Sequence, residues 1–234
     1  MVSRFINNNK LSDKIFEDAA KDREAFWANQ AQCLDWFHPW KQILQWDPPY
    51  AQWFVGGTLN ACYNCLDRHM NTETRHKTAI FWEGERGEER VISYEDLYRE
   101  VNKCSNALLA LGIQKGDTVA IYLPMIPEAV IAMLSCARIG AIHTVIFAGF
   151  SAESLRDRIV DANAKLLITA DGGFRKGKVV PLKETADAAI DGLPVEHVIV
   201  VKRTHQDVSM KASRDIWYDD IMNQAIAECP PAIM

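Results

Sequence analysis

The sequence predicts an α/β domain built on a mostly parallel sheet covered by helices. From Lys77 onward, short β-branched runs alternate with amphipathic stretches. The runs Leu166-Leu167-Ile168 and Val198-Ile199-Val200-Val201 are apolar without alternation, as strands covered on both faces are. The β-α alternation recurs four times, which favours parallel pairing through helical crossovers.

Thr78–Glu83 reads as a strand and Arg90–Ile92 as its hairpin partner. Tyr94–Leu111 reads as a helix: Ser93 with Asp96 three residues later resembles a capping box, and Gly112 stops the helix. Thr118–Leu123 follows as a strand, Pro127–Ile139 as a helix, His143–Phe147 as a strand and Ala152–Ala162 as a helix. Leu166–Thr169 is the next strand, Leu182–Ile190 the next helix, and Val195–Val201 the last strand of the alternation. A polar stretch, Thr204–Ser213, precedes a short helix around Trp217–Ala225. Residues 1–76 differ in texture. They hold five of the seven tryptophans (Trp27, Trp36, Trp40, Trp46 and Trp53), the breakers Pro39, Pro48 and Pro49, and few periodic runs. They are expected to form a wrapping segment distinct from 77–234, the first part of the alternating domain. Asp47-Pro48-Pro49 cannot sit inside a helix, because proline lacks the amide donor and restricts the residue before it.

The chain of 234 residues is 48% hydrophobic and 24% charged, the composition of a folded globular protein. Its net charge of -5 argues against general nucleic-acid binding, which needs an excess of Lys and Arg. Apolar runs such as Ala129–Cys136 fall short of the ~20 residues that cross a bilayer, and the polar start Met1–Asp13 lacks a signal peptide's apolar stretch. A cytoplasmic protein without membrane or nucleic-acid partners is expected; nothing in the sequence bears on its oligomeric state. Six cysteines are spread along the chain, unlike a dense disulfide framework. Cys62 and Cys65 form a C-x-x-C, but no second one follows, and both are expected to be packing thiols on a helix.

In open α/β sheets, ligands bind beyond the carboxyl ends of the strands. Two loops fit. Phe147-Ala148-Gly149-Phe150-Ser151 follows a strand and precedes a helix that Ser151 can cap; Gly149 lets a ligand approach, and Phe147 or Phe150 can stack on a planar base. Spacing alone leaves open a tight turn with both rings in the core. Asp171–Lys178 follows the next strand and carries Arg175, Lys176 and Lys178 around Gly177, which suits a phosphate. Here the bland reading is a solvated basic turn.

Six histidines show neither H-x-x-x-H nor H-E-x-x-H spacing, so no metal site is expected. Neither G-x-x-x-x-G-K-[ST] nor G-x-S-x-G occurs, and no G-x-G-x-x-G follows the first strand of the alternation. Asp67-Arg68-His69 has the look of a triad fragment but reads as helix surface with intramolecular pairing.

The run Trp53-Phe54-Val55-Gly56-Gly57-Thr58-Leu59-Asn60, followed by Asn64-Cys65-Leu66-Asp67-Arg68-His69, resembles the amino-terminal signature of AMP-forming acetyl-CoA and related short-chain acyl-CoA synthetases. So do Ile92–Leu97, Gly116–Met125, Ala137–Ala141, Phe147–Ser151 and Arg175–Lys178, in the family's order and spacing. The resemblance implies the large amino-terminal domain of the adenylate-forming fold. It also implies a reaction in which a short carboxylate such as acetate or propionate attacks Mg2+-bound ATP to give an acyl-adenylate, whose acyl group passes to coenzyme A. It puts the phosphate loop, acyl pocket and catalytic lysine beyond Met234, so no catalytic residue is expected here and the chain alone should be inert. On the family's pattern Phe147, Ala148 and Gly149 match the wall against the coenzyme A adenine. Arg175, Lys176, Gly177 and Lys178 match the stretch that meets its 3′-phosphate. Many members have Arg at the position of Lys178, and Lys supplies a point charge rather than a bidentate fork. A stand-alone nucleotide- or CoA-binding module, an oxidoreductase using the sheet for a dinucleotide, and an interaction scaffold are the alternatives.

Overall fold

A computed structural model describes residues 9–234, with side chains from residue 13 onward; the first eight residues of the start Met1–Asp13 lie outside the described ones. The chain divides into two compact units between Leu59 and Asn60.

In the first unit, helix α1 spans Asn9–Lys21 and α2 spans Arg23–Ala31. Asp22 caps α2 by accepting the Ala25 N–H at 2.9 Å. Strands β1 (Gln42–Asp47) and β2 (Tyr50–Val55) form an antiparallel hairpin in which Asp47 faces Tyr50 across Pro48-Pro49. Prolines suit that turn because neither position must donate to the ladder. Trp36, Trp40 and Phe54 pack together at 4.9–5.4 Å between ring centroids, Trp40 edge-on to the other two. Gly57 passes so close to Trp36 that a Cβ would lie 2.6 Å from the ring. The segment is more regular than its texture predicts. Both hairpin strands are mostly exposed, so no apolar alternation marks them in the sequence. Residues 60–76, grouped above with the Trp-rich segment, pack within the second unit.

The second unit opens with α3 (Ala61–Cys65), capped by Asn60, and two 3-10 turns at Asp67–His69 and Glu73–His76. Strands β3 (Thr78–Glu83) and β4 (Glu89–Ser93) form an antiparallel hairpin that runs into α4 (Tyr94–Ala110). Ser93 Oγ accepts the Asp96 N–H at 3.0 Å and donates to the Asp96 carboxylate at 2.7 Å. That hydroxyl holds the Asp96 carboxyl below the usual range. Gly112, at φ +82°, follows the helix end.

Then come β5 (Thr118–Tyr122), α5 (Pro127–Ile139), β6 (Ile142–Val145), α6 (Ala152–Asp161) and β7 (Ala164–Ala170). A small hairpin, β8 (Gly173–Arg175) and β9 (Lys178–Val180), precedes α7 (Leu182–Ile190), β10 (His197–Val201), β11 (Asp215–Trp217) and α8 (Tyr218–Gln224). Five strands form one parallel sheet in the order β11-β10-β7-β5-β6, which is the α/β class expected. Every residue of β5 is buried, and each fully buried Ile or Leu contributes about 1.5–3 kcal/mol. The connections from β5 to β6 and from β6 back past β5 to β7 run in opposite directions along the sheet, so crossovers of one hand put α5 and α6 on opposite faces. Accordingly α5 packs with α4, and α6 with α7.

The edge strand β6 differs from its predicted span. It begins at Ile142 and ends at Val145, so Phe147 lies in the loop. The ladder stops after Ile146 donates to Ile121 O, and the Phe150 N–H closes a turn on Phe147 O.

Buried charge organises the periphery. Arg138 on α5, 1% exposed, makes two bonds of 2.7 and 2.8 Å to Asp67 and donates from Nε to Cys229 O at 2.5 Å. Asn60 Nδ2 donates to the carbonyls of Ala137, Arg138 and Ala232. Segment 226–233 is laced across α4 and α5 by backbone-directed bonds. Asn106 donates to Ile226 O and Glu228 O, Asn102 accepts the Cys229 N–H, and Lys115 reaches Ile233 O. On α7, buried Lys183 meets Asp187 at 2.7 Å and Asp215 at 2.8 Å, and Arg214 pairs with both carboxylates. Burial opposes ionisation of Asp215, but bonds from Arg214 and Lys183 outweigh it and hold the carboxyl below its ordinary range.

Candidate functional site

The chain segments leaving β5, β6, β7 and β10 at their carboxyl ends converge on one cleft of about 350 Å3. Pro124–Ile126 follow β5, Phe147–Gly149 follow β6, Gly173–Arg175 follow β7 and Arg203 follows β10; Trp82–Glu85, from the β3–β4 hairpin, close one side.

The two loops singled out in the sequence meet here. The Arg175 guanidinium lies 5.1 Å from the centre of the Phe147 ring. Phe147 packs edge-on against Phe150 at 5.7 Å, and Arg158 covers Phe150 at 4.4 Å. Gly149 allows the approach: a Cβ there would fall 2.5 Å from both Arg175 Nη1 and the Phe147 ring. Tyr122 donates to Phe150 O at 3.0 Å, and Ser151 caps α6 through the Ser154 N–H, so the loop is pinned at both ends. Phe147 is 55% exposed, which sets aside the reading that buries it in the core.

The rest of the basic motif lies elsewhere. Lys176 and Gly177, at φ +51° and +72°, form the tip of the β8–β9 hairpin, and with Lys178 they are exposed beside the cleft rather than lining it. Asp171 is buried and serves as a clamp. Its carboxylate accepts the N–H groups of Gly172, Arg203, Thr204 and Gln206, which fixes the backbone of Arg203.

Four cleft residues were not singled out as ligand contacts in the sequence: Trp82, Met125, Phe174 and Arg203, although Met125 ends the motif Gly116–Met125 and Phe174 lies within the loop Asp171–Lys178. Trp82 Nε1 donates to Met125 O at 2.7 Å. The Arg203 guanidinium lies over Phe174 at 4.8 Å and Trp82 at 5.2 Å, and both terminal nitrogens reach Glu88 Oε1 at 2.9 Å. That bond holds the Glu88 carboxyl below the usual range. Arg86 covers Phe174 from 3.7 Å. The cleft therefore joins flat aromatic surface to guanidinium groups, an arrangement able to take a planar ring and an attached anion.

Other motifs resolve as structure. Asp67, read as helix surface with intramolecular pairing, lies in a 3-10 turn and is paired with Arg138, while His69 packs on Tyr94. Cys62 packs as expected and burial pushes its thiol up to about 12, but Cys65 is exposed, because a short helix buries only one of the two positions. Among the described residues no group of three or more His, Cys, Asp or Glu is placed to hold a metal ion, and no helix is long and apolar enough to cross a membrane.

Comparison with known proteins agrees with this architecture. The acetyl-coenzyme A synthetase N-terminus model matches residues 12–65. The acetyl-coenzyme A synthetase of Gemmatimonas aurantiaca is 55% identical over 225 residues, 93% of this chain and 34% of that protein. The enzyme of that name from Mycobacterium tuberculosis H37Rv is 50% identical over 228 residues, 95% of this chain and 35% of that one. The chain thus spans about a third of the length of the curated relatives it matches. The acetoacetyl-CoA synthetase from Streptomyces lividans superposes with a TM-score of 0.84 at 27% identity, over 92% of this chain and 33% of that structure. With the AMP-binding enzyme model matching residues 66–231, the chain belongs to the AMP-binding enzyme family.

Proposed function

We propose that this chain is the amino-terminal part of an AMP-forming acetate–CoA ligase and that its cleft receives the nucleotide end of coenzyme A. The reaction joins acetate and ATP to an acetyl-adenylate with release of pyrophosphate, then transfers the acetyl group to the coenzyme A thiol, releasing AMP. The observation that carries the reading is the meeting of Arg175, Phe147 and Gly149 at the carboxyl end of the sheet. Phe147 offers a face to the adenine, Gly149 leaves room for it, and Arg175 offers a directional fork to phosphate. Lys176 and Lys178 add charge at the rim, where they attract the ligand's anion without fixing it. Relatives named acetyl-coenzyme A synthetase at 50–55% identity favour acetate over propionate or a longer acid.

The adenylation chemistry belongs to residues outside this chain, and the 234 residues alone are expected to release no pyrophosphate. Mg2+ would neutralise charge on ATP during adenylation. A cytoplasmic location accords with six unbridged cysteines.

The test separates the two half-reactions in the intact protein. Arg175→Ala should raise KM for coenzyme A in thioester formation while leaving acetate-dependent ATP–pyrophosphate exchange, which needs no coenzyme A, near the wild-type rate. Equal loss in both, or activity with an acid other than acetate as the preferred substrate, would overturn the reading.

A further inference from the structure

The basic turn is already engaged by an anion belonging to the chain. Glu85, at the tip of the β3–β4 hairpin, accepts the Gly177 N–H at 2.5 Å, although 92 residues separate them in sequence. Two further contacts hold the same hairpin on that side of the cleft. Arg86 covers Phe174 at 3.7 Å, and Glu88 takes both terminal nitrogens of Arg203 at 2.9 Å. Gly84 sits close under this turn: a Cβ would fall 2.2 Å from Glu88 Oε2 and 3.0 Å from Arg203 Nη2. The Glu85 carboxylate is thus delivered by a braced element to the amide at the centre of Arg175-Lys176-Gly177-Lys178.

We infer that Glu85 is a specificity-determining residue of this site, an internal anion that competes with the ligand's phosphate for the Arg175–Lys178 turn. A second anion brought to a turn that already carries one is repelled until the carboxylate moves aside. The turn is exposed, so the repulsion is modest and screened by salt. Its consequence is selective. A ligand with a phosphate at the turn meets the repulsion, whereas one lacking that phosphate stacks on Phe147 without displacing Glu85. Glu85 therefore lowers the advantage that the phosphate would otherwise give and keeps the complex readily reversible.

The inference rests on the coenzyme A reading above, and the experiment separates the two. Affinities of coenzyme A and 3′-dephospho-coenzyme A are measured by titration calorimetry on the intact protein, as wild type, Glu85→Gln and Glu85→Ala, at low and high salt. Glu85→Gln keeps an acceptor for the Gly177 N–H and removes only the charge. Both variants should bind coenzyme A about three-fold more tightly and 3′-dephospho-coenzyme A unchanged, with the gain shrinking at high salt. If both ligands weaken together in the variants, or neither changes, Glu85 only supports the turn and the inference fails while the coenzyme A reading stands. If neither the wild type nor the variants bind either ligand, the coenzyme A reading falls and this inference with it. Thermal unfolding of each variant confirms that the comparison is between folded proteins.

Discussion

Arg138 and Arg175 carry the same guanidinium and do opposite things with it. Arg138 is buried and fully answered: Asp67 takes two of its nitrogens and Cys229 O a third. Arg175 is exposed, rests on the Phe147 ring and, among the described residues, makes no ion pair. A cation matched by a buried carboxylate is part of the fold, because removing either partner strands the other in a medium that cannot solvate it. A cation held in place by an aromatic face keeps its hydrogen-bond donors available. The difference between structural and ligand-seeking arginine lies in what the protein has already bonded to it.

Replacing the buried arginine is the hardest test of that contrast. Arg138→Met should destabilise the fold by about 3–5 kcal/mol in urea unfolding, and adding Asp67→Leu should recover most of the loss. A single-variant loss under ~1 kcal/mol would break the comparison. Arg175→Ala should do the reverse. Stability stays within about 0.5 kcal/mol of wild type, and the coenzyme A dissociation constant rises roughly 10- to 100-fold. Gly149→Ala sharpens the contrast further. The atoms it displaces are the Arg175 tip and the Phe147 ring edge, so the expected result is about five-fold weaker coenzyme A binding with under ~1 kcal/mol of stability lost. The smallest effect is acid sensitivity of the Lys183–Asp187–Arg214–Asp215 cluster. The folded Asp215 carboxyl titrates below its unfolded value, so its contribution is present above about pH 4 and is lost as pH falls below that. Unfolding midpoints measured from pH 6 to pH 2.5 should drop over that range, and Asp215→Asn should flatten the drop.

What the sequence made legible was local. Leu166-Leu167-Ile168 and Val198–Val201 announce buried parallel strands because nothing polar interrupts them, and Ser93 with Asp96 announces a helix start from three residues of spacing. The loop Phe147–Ser151 and the turn Arg175–Lys178 were found by one topological rule about the carboxyl ends of strands. That rule also points to Arg203, two residues after the last long apolar strand. Phe174 shares the signal of the loop Asp171–Lys178 but its ring was not singled out there, and Trp82 had no comparable signal, since it reaches the cleft only through the β3–β4 hairpin. The Arg138–Asp67 pair was hidden for the same reason, its partners lying 71 residues apart. β6 was misjudged because an edge strand ends where its single neighbour stops pairing, and composition does not record that.

The lacing of residues 226–233 has an evolutionary consequence. Asn60, Asn102, Asn106, Lys115 and Arg138 hold this stretch by its peptide groups and not by its side chains. Apart from the buried Cys229, the instructions for where it lies are therefore written in other parts of the chain. A saturation-mutagenesis map should show tolerance at the exposed positions of Ile226–Ile233, and intolerance at the buried Cys229 and at the asparagines that grip the stretch, so exposed residues can be free to vary in a segment that is firmly placed.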